Sequence, residues 1–134
     1  MSLAFIKGLS PTGELVNLRL NSDGSLFTPS EAPLITETPL TAPGSTPARS
    51  MAGYGKLTYQ FDVSGIGTNI VIRAEGNLIG ANFINLDFYN KDITIESNGS
   101  YLITFEGKII NARFTLVSFT GGTPSVIAHL LRGN

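Results

Sequence analysis

The chain has 134 residues, a formal net charge of -1, 14% charged residues and no cysteine. A chain of this length buries about two thirds of its unfolded surface, so a single core needs no staples. The lack of thiols excludes disulfides and cysteine chemistry. The scattered basic residues, interleaved with acids, leave no electrostatic footprint for nucleic acid or an anionic membrane. Sparse charge together with a mean hydropathy of +0.17 instead suggests a surface covered by other subunits.

At the start of the chain, Met1 to Lys7 holds too short an apolar run for a signal peptide, and no later segment approaches the roughly 18 apolar residues of a spanning helix. Next, residues 14–20 and 25–28 flank Asn21-Ser22-Asp23-Gly24, whose Asp-Gly pair favours a hairpin turn. Two strands alone are marginal in water, so Leu15, Leu18 and Phe27 are expected to be protein-contact residues.

Five of the 7 prolines, at positions 29, 33, 39, 43 and 47, then fall in one Ser/Thr/Ala-rich stretch. Proline fixes φ, lacks an amide proton and pushes its predecessor toward extended geometry. Residues 29–50 are therefore expected to form an extended arm, either a disordered spacer or ordered by docking on a neighbour through Leu34, Ile35 and Leu40. The expected division is a hairpin with its arm over 1–50 and a β-sandwich over 51–134.

From Tyr54 onward the apolar period is two: Leu57, Tyr59, Phe61 and Val63 alternate with Thr58, Gln60 and Asp62, and Tyr101, Ile103 and Phe105 with Leu102, Thr104 and Glu106. Seven strands are expected, over 54–63, 69–75, 82–89, 92–96, 100–106, 109–119 and 125–131. They are separated by turns at Ser64-Gly65-Ile66-Gly67, Gly76 to Gly80, Asn90-Lys91, Ser97-Asn98-Gly99, Glu106-Gly107-Lys108 and Gly121-Gly122-Thr123-Pro124. The fold class is all-β, an antiparallel sandwich or jelly roll. A shift of 31 positions pairs Glu75-Gly76 with Glu106-Gly107 and Phe83 with Phe114, which suggests one hairpin design used twice, its glycines turning the chain rather than holding a ligand.

Catalytic and cofactor signals are thin. Gly65-Ile66-Gly67 lacks the third glycine and the following helix of a dinucleotide site. His129 is the sole histidine, in a strand where a satisfied ring is expected, and no Gly-x-Ser-x-Gly elbow appears. Asp62, Glu75, Asp87, Asp92, Glu96 and Glu106 are spread along the strands as solvated faces are, although a glycosidase needs only two brought together. No cofactor, metal or catalytic residue is assigned. For sugar binding there is no Trp, and Tyr89 beside Asn90 is the best exposed ring.

Arg73-Ala74-Glu75-Gly76, Phe83-Ile84-Asn85-Leu86, Thr94-Ile95, Asn98-Gly99-Ser100-Tyr101 and Gly121-Gly122 give the region from Asn69 to Leu131 its character. In this order they resemble a β-sandwich module of tailed-bacteriophage virion proteins, including capsid decoration (cement) proteins. Where that family often has Asp-Gly in the first turn and Trp as the aromatic, this chain has Ile79-Gly80 and Phe83. The resemblance covers about half the chain. It implies a non-enzymatic protein on the virion capsid surface, present in the host cytoplasm during assembly, with the major capsid protein and copies of itself as partners in a homo-oligomer. The alternative is a carbohydrate- or receptor-binding module of a tail appendage, and a hydrolase ranks third.

Overall fold

The computed structural model describes residues 5–9, 15–19, 32–87 and 89–134. The chain divides into two compact units, Met1–Ser30 and Glu31–Asn134. In the first, β1 (Phe5–Leu9) pairs antiparallel with β2 (Leu15–Arg19), Ile6 opposite Leu18 and Leu9 opposite Leu15. The described partner of residues 15–19 is the segment before them. The expected Asp23-Gly24 turn, the strand over 25–28 and Phe27 lie outside the described residues.

The second unit is all-β, as its alternating pattern requires, with no helix among the described residues. Its frame is two very long strands, β6 (Lys56–Asn77) and β10 (Asn111–Gly133), paired antiparallel from end to end. The other strands are β3 (Ile35–Thr36), β4 (Gly44–Ser45), β5 (Arg49–Ser50), β7 (Ile84–Asn85), β8 (Ile93–Ile95) and β9 (Gly99–Glu106). All join one hydrogen-bonded sheet that doubles back on itself into two layers. One layer runs β9, the first half of β6, the second half of β10, then β3. The other runs β7 and β8, the second half of β6, the first half of β10, then β4 and β5.

Alternation decides what meets between the layers. Leu57, Tyr59, Phe61 and Val63 from one layer, and Ile70, Ile72, Ala74, Ala112, Phe114 and Leu116 from the other, are buried in a common core. Phe114 takes Tyr59 edge-on and Phe61 at a tilt, with centroids 5.4 and 5.2 Å apart. Such ring pairs add to what the buried area itself contributes. The inward positions are odd-numbered up to Val63 and even-numbered from Ile70. The register slips between them, where Thr120 and Gly122 face Asn69 and Ile66, letting both halves of β6 turn their apolar side to one interior.

The bend explains the glycines around it. A Cβ on Gly67 would lie 2.4 Å from Gly121 C and Gly122 N, and one on Gly122 would lie 2.4 Å from Gly65 O and Gly67 N. Two backbones pass here with no room for side chains. The expected turns at 64–67 and 121–124 are therefore bends within continuous strands: 54–63 merges with 69–75, and 109–119 with 125–131.

The proline-rich stretch is neither a spacer nor an arm that waits for a neighbour. It is the edge of its own sheet: the amides of Ala32, Glu37, Leu40, Thr46 and Met51 donate to carbonyls of Arg132, Ala128, Val126, Phe114 and Ile110. Prolines 33, 39, 43 and 47 fall between these donors, at positions from which the ladder asks none, and edge strands tolerate proline for that reason. The compact boundary accordingly lies at Ser30/Glu31, well before residue 50. Glu37, almost wholly buried, takes a two-pronged ion pair from Arg49 at 2.5 and 3.0 Å, tying the two ends of this edge together.

The 31-residue echo does not survive as a structural repeat. Glu75 and Ala112 are buried where Glu106 and Ala81 are exposed. Gly76 sits in a strand against Ile109 and Leu86, whereas Gly107, with φ +146°, ends β9 in open space.

Gly67→Ala should cost several times more stability than Gly80→Ala. The first drives a methyl into backbone, with a loss of at least about 3 kcal/mol, the upper end for overpacking. The second meets nothing within 4 Å and bears only the strain of φ +80°, about 1 kcal/mol. Denaturant unfolding of both variants measures the difference; equal losses would show that the bend tolerates a side chain.

Candidate functional site

The outward positions of the two layers carry different chemistry. On the β9 layer, a polar chain crosses all four strands: Thr36 Oγ1 lies 2.9 Å from His129 Nδ1, His129 Nε2 2.8 Å from Asp62 Oδ2, and Ser100 Oγ donates to Asp62 Oδ1 at 2.7 Å. Gln60 Nε2 also donates to Asp62 Oδ1, at 3.2 Å. Both imidazole nitrogens are thus hydrogen-bonded. The Ser100, His129 and Gln60 contacts hold the Asp62 carboxyl below its ordinary pKa.

The order Thr36, His129, Asp62 is that of a hydroxyl, imidazole and carboxylate relay, so its chemical competence is a fair question. The amide after Thr36, that of Glu37, is already bonded to Ala128 O, while Thr36, at the alternate position of an edge strand, turns its own amide away from β10. An oxyanion needs several converging preorganised donors, and the amide that follows the hydroxyl is already engaged. The chain works as a cross-strand tie.

Beside it an open groove of about 300 Å³ is lined by Leu34, Thr58, Gln60, Leu102, His129 and Leu131. Leu34 and Leu102 are 62% and 66% exposed. A second apolar patch occupies one end of the other layer, where Ile110 N–H donates to Asn77 O and Ile84 stands opposite Gly76. Leu78, Ile79, Ile84 and Ile110 are exposed there, Ile79 at 87%.

The outer face of that second layer is an ion-pair lattice. Glu75, with its side chain 5% exposed, takes Arg113 Nε at 2.9 Å and the Thr115 hydroxyl at 2.5 Å, with Arg73 Nη1 3.6 Å away. Arg73 in turn grips Asp92 through Nε and Nη2 at 2.7 and 3.0 Å, and the Arg113 guanidinium lies over the Phe83 ring. Burial pushes the Glu75 carboxyl up, but Thr115, Arg113 and Arg73 together outweigh it and hold the pKa below the ordinary value. Arg73 does the same for Asp92. Asp62, Glu75 and Asp92 are therefore tied into networks, not free acids on solvated faces. Among the described residues no three His, Asp or Glu side chains gather as a metal would require.

Of the expected contact residues, Leu34 stands on the surface at the groove, while Ile35 and Leu40 turn inward and pack on the chain's own core. Leu15 and Leu18 lie in β2, and Phe27 lies outside the described residues. Leu102 and Leu131 in the groove, and the Leu78, Ile79, Ile84 and Ile110 patch, are additional to the expectation. Leu102 was visible as a leucine occupying the polar register of its strand.

No protein-family model matches the chain, and no curated protein matches it in sequence. Its fold is similar to that in the crystal structure of the SPBc2 prophage-derived protein YomS. The TM-score is 0.50 and the identity 18%, over 79% of this chain and 96% of that one.

The three lowered carboxyls set the acid limb of stability. A carboxyl whose folded pKa is depressed adds stability that is complete above its unfolded pKa, about 4, and is lost as pH falls through the folded value. Melting temperature should thus hold from pH 7 to about pH 5 and decline below about pH 4. Glu75→Gln, which leaves the part-buried Arg113 without its anion and Arg73 with Asp92 alone, should lose about 1–3 kcal/mol at pH 7 and show a shallower acid decline. A decline as steep as that of the parent would remove Glu75 from the cause.

Proposed function

We propose that the chain is a non-enzymatic structural protein of a phage virion, and within that class a capsid decoration protein that binds the major capsid protein and stabilises the head through subunit contacts. The observation that carries this reading is a charge-poor sandwich whose surface presents two separate apolar patches, one around Leu34 and Leu102 and one around Ile79. Scattered apolar residues need no partner, but grouped ones usually mark a contact. The prophage origin of the similarly folded protein and the virion-type motifs between Asn69 and Leu131 support the same class.

Two features weigh against the other readings. Beside the Thr36, His129 and Asp62 relay, the amide that follows the hydroxyl, that of Glu37, is already taken by Ala128 O. Sugar binding favours an open ring platform in a groove; Tyr89 is an exposed ring, but the groove is lined by leucines, Thr58, Gln60 and His129 with no Tyr, Phe or Trp, and Tyr101 nearby is stacked on Phe61 with centroids 5.3 Å apart.

Particles purified from cells carrying this sequence should contain the chain in stoichiometric amounts, seen by mass spectrometry and placed on the head by electron cryomicroscopy. Ile79→Asp, which touches no core residue, should leave melting unchanged and reduce occupancy on the particle by about tenfold or more, as loss of an interface anchor does. Absence of the chain from mature particles would end the virion reading, and a tail location would end the decoration reading.

A further inference from the structure

The sheet has two long borders, and they are built differently. One is the segment from Ala32 to Met51, interrupted by four prolines and paired only in short pieces. On the other side, the second layer ends in the two- and three-residue strands β7 and β8, whereas the first layer ends in β9, eight residues in unbroken register with β6. Natural edges are normally guarded by proline, charge, bulges or brevity. From Gly99 to Phe105, β9 has none of these, and its one charged residue, Glu106, is at the end and paired with Lys56 at 3.4 Å.

Register shows which backbone groups are open. Gly107 N–H donates to Gly55 O, so residues paired at every second position from there, Phe105, Ile103, Tyr101 and Gly99, exchange their bonds with β6. The amides and carbonyls of Ser100, Leu102, Thr104 and Glu106 therefore point away from β6, and no backbone bond among the described residues engages them.

We propose that this border is a homodimerisation surface, at which β9 of a second copy adds antiparallel across a two-fold axis and continues the layer. Only pairings that set outward residues against outward residues are possible. Centring the axis on Ile103 uses all four, with Ser100 opposite Glu106 and Leu102 opposite Thr104 of the second copy. Centring it on Leu102 or Thr104 instead would reach past the ends of β9, to Asn98 or Lys108. On the inner face Tyr101 then meets Phe105 and Ile103 meets itself, covering three side chains that the isolated unit leaves partly buried. On the outer face the two Leu102 side chains become diagonal neighbours, roughly 7–8 Å apart, and the two leucine grooves run together. With so little charge along the strand, self-pairing brings no like-charge repulsion into its centre.

Sedimentation velocity of the full chain from about 1 to 300 µM tests this, with hydrogen exchange read over β9. The parent should pass from monomer to dimer, with the Leu102 and Thr104 amides slowing as the dimer forms. Leu102→Pro removes one outward amide and none that binds β6, so it should remain folded and weaken dimerisation by at least about tenfold. Leu102→Lys, which keeps the backbone intact and adds an edge guard, should do likewise and decides the matter if the proline variant does not fold. A parent that stays monomeric throughout, either folded variant dimerising as tightly as the parent, or a dimer in which those amides exchange freely would overturn the proposal. Protection that appears only on mixing with capsids would assign the border to a different strand donor and equally overturn it. The inference does not rest on a virion role: a dimer absent from particles would sink that reading alone, and a particle-bound monomer this one alone.

Discussion

Everything in the larger unit depends on the place where β6 and β10 cross at Gly65, Gly67, Gly121 and Gly122. Two strands of 22 and 23 residues would, if straight, make a ribbon with an apolar side far too long to cover itself. Contact between backbones at the crossing allows both strands to bend together, so that the ribbon's own far half becomes the cover for its near half. The core is thus built by one two-stranded ribbon folding over, and the sandwich keeps hydrogen-bond continuity from one layer to the other. Register slips at the same place are what make this workable, since without a parity change one half of β6 would turn its isoleucines to solvent.

Once the ribbon has folded, its long sides are left as borders, and each is finished by a different means. The segment from Ala32 to Met51 follows β10 around the bend and seals one side, with the Glu37–Arg49 pair fastening its ends where the layers part. That pair closes over Tyr59, whose phenol is raised above its ordinary pKa by burial and by the nearby Glu37. A bidentate pair with one partner still partly in water keeps most of its Coulomb attraction while avoiding the full desolvation penalty of a buried ion. The outer lattice around Glu75 follows the same compromise, its arginines about a third exposed and its carboxylate covered.

What the amino-acid pattern disclosed follows from which interactions are local. Period-two alternation from Leu57 to Val63 and from Tyr101 to Phe105 is a local signature, and both stretches lie in strands with their odd-numbered side inward. Whether a glycine pair ends a strand or bends one is not local: Gly65 and Gly67 have the composition of a turn, and only the presence of Gly121 and Gly122 opposite makes them a crossing. Proline spacing over 29–50 correctly spoke against helix and sheet interior, but edge strands satisfy the same restriction. The partner that orders this segment is β10, some eighty residues later. Glu75 was misread for a similar reason, because its arginine and threonine partners on β10 become neighbours only through the register.

Function was legible to a lesser extent, and the difference is physical. Catalytic motifs announce themselves through special local geometry, whereas a contact surface is an ordinary set of apolar residues distinguished by where the fold leaves them. Leu34 and Ile35 are adjacent in sequence, yet the strand's alternation sends one to solvent and the other to the core. Leu102 was conspicuous because it interrupts a polar register, and it is the residue that joins the groove to the unguarded border. Ile79 lay in what reads as a turn, where exposure is the norm for any residue. An apolar side chain in such a place adds nothing to the core, and a single exposed one is ordinary, so only its grouping with other exposed apolar residues distinguishes it, and grouping is set by the fold and not by local pattern.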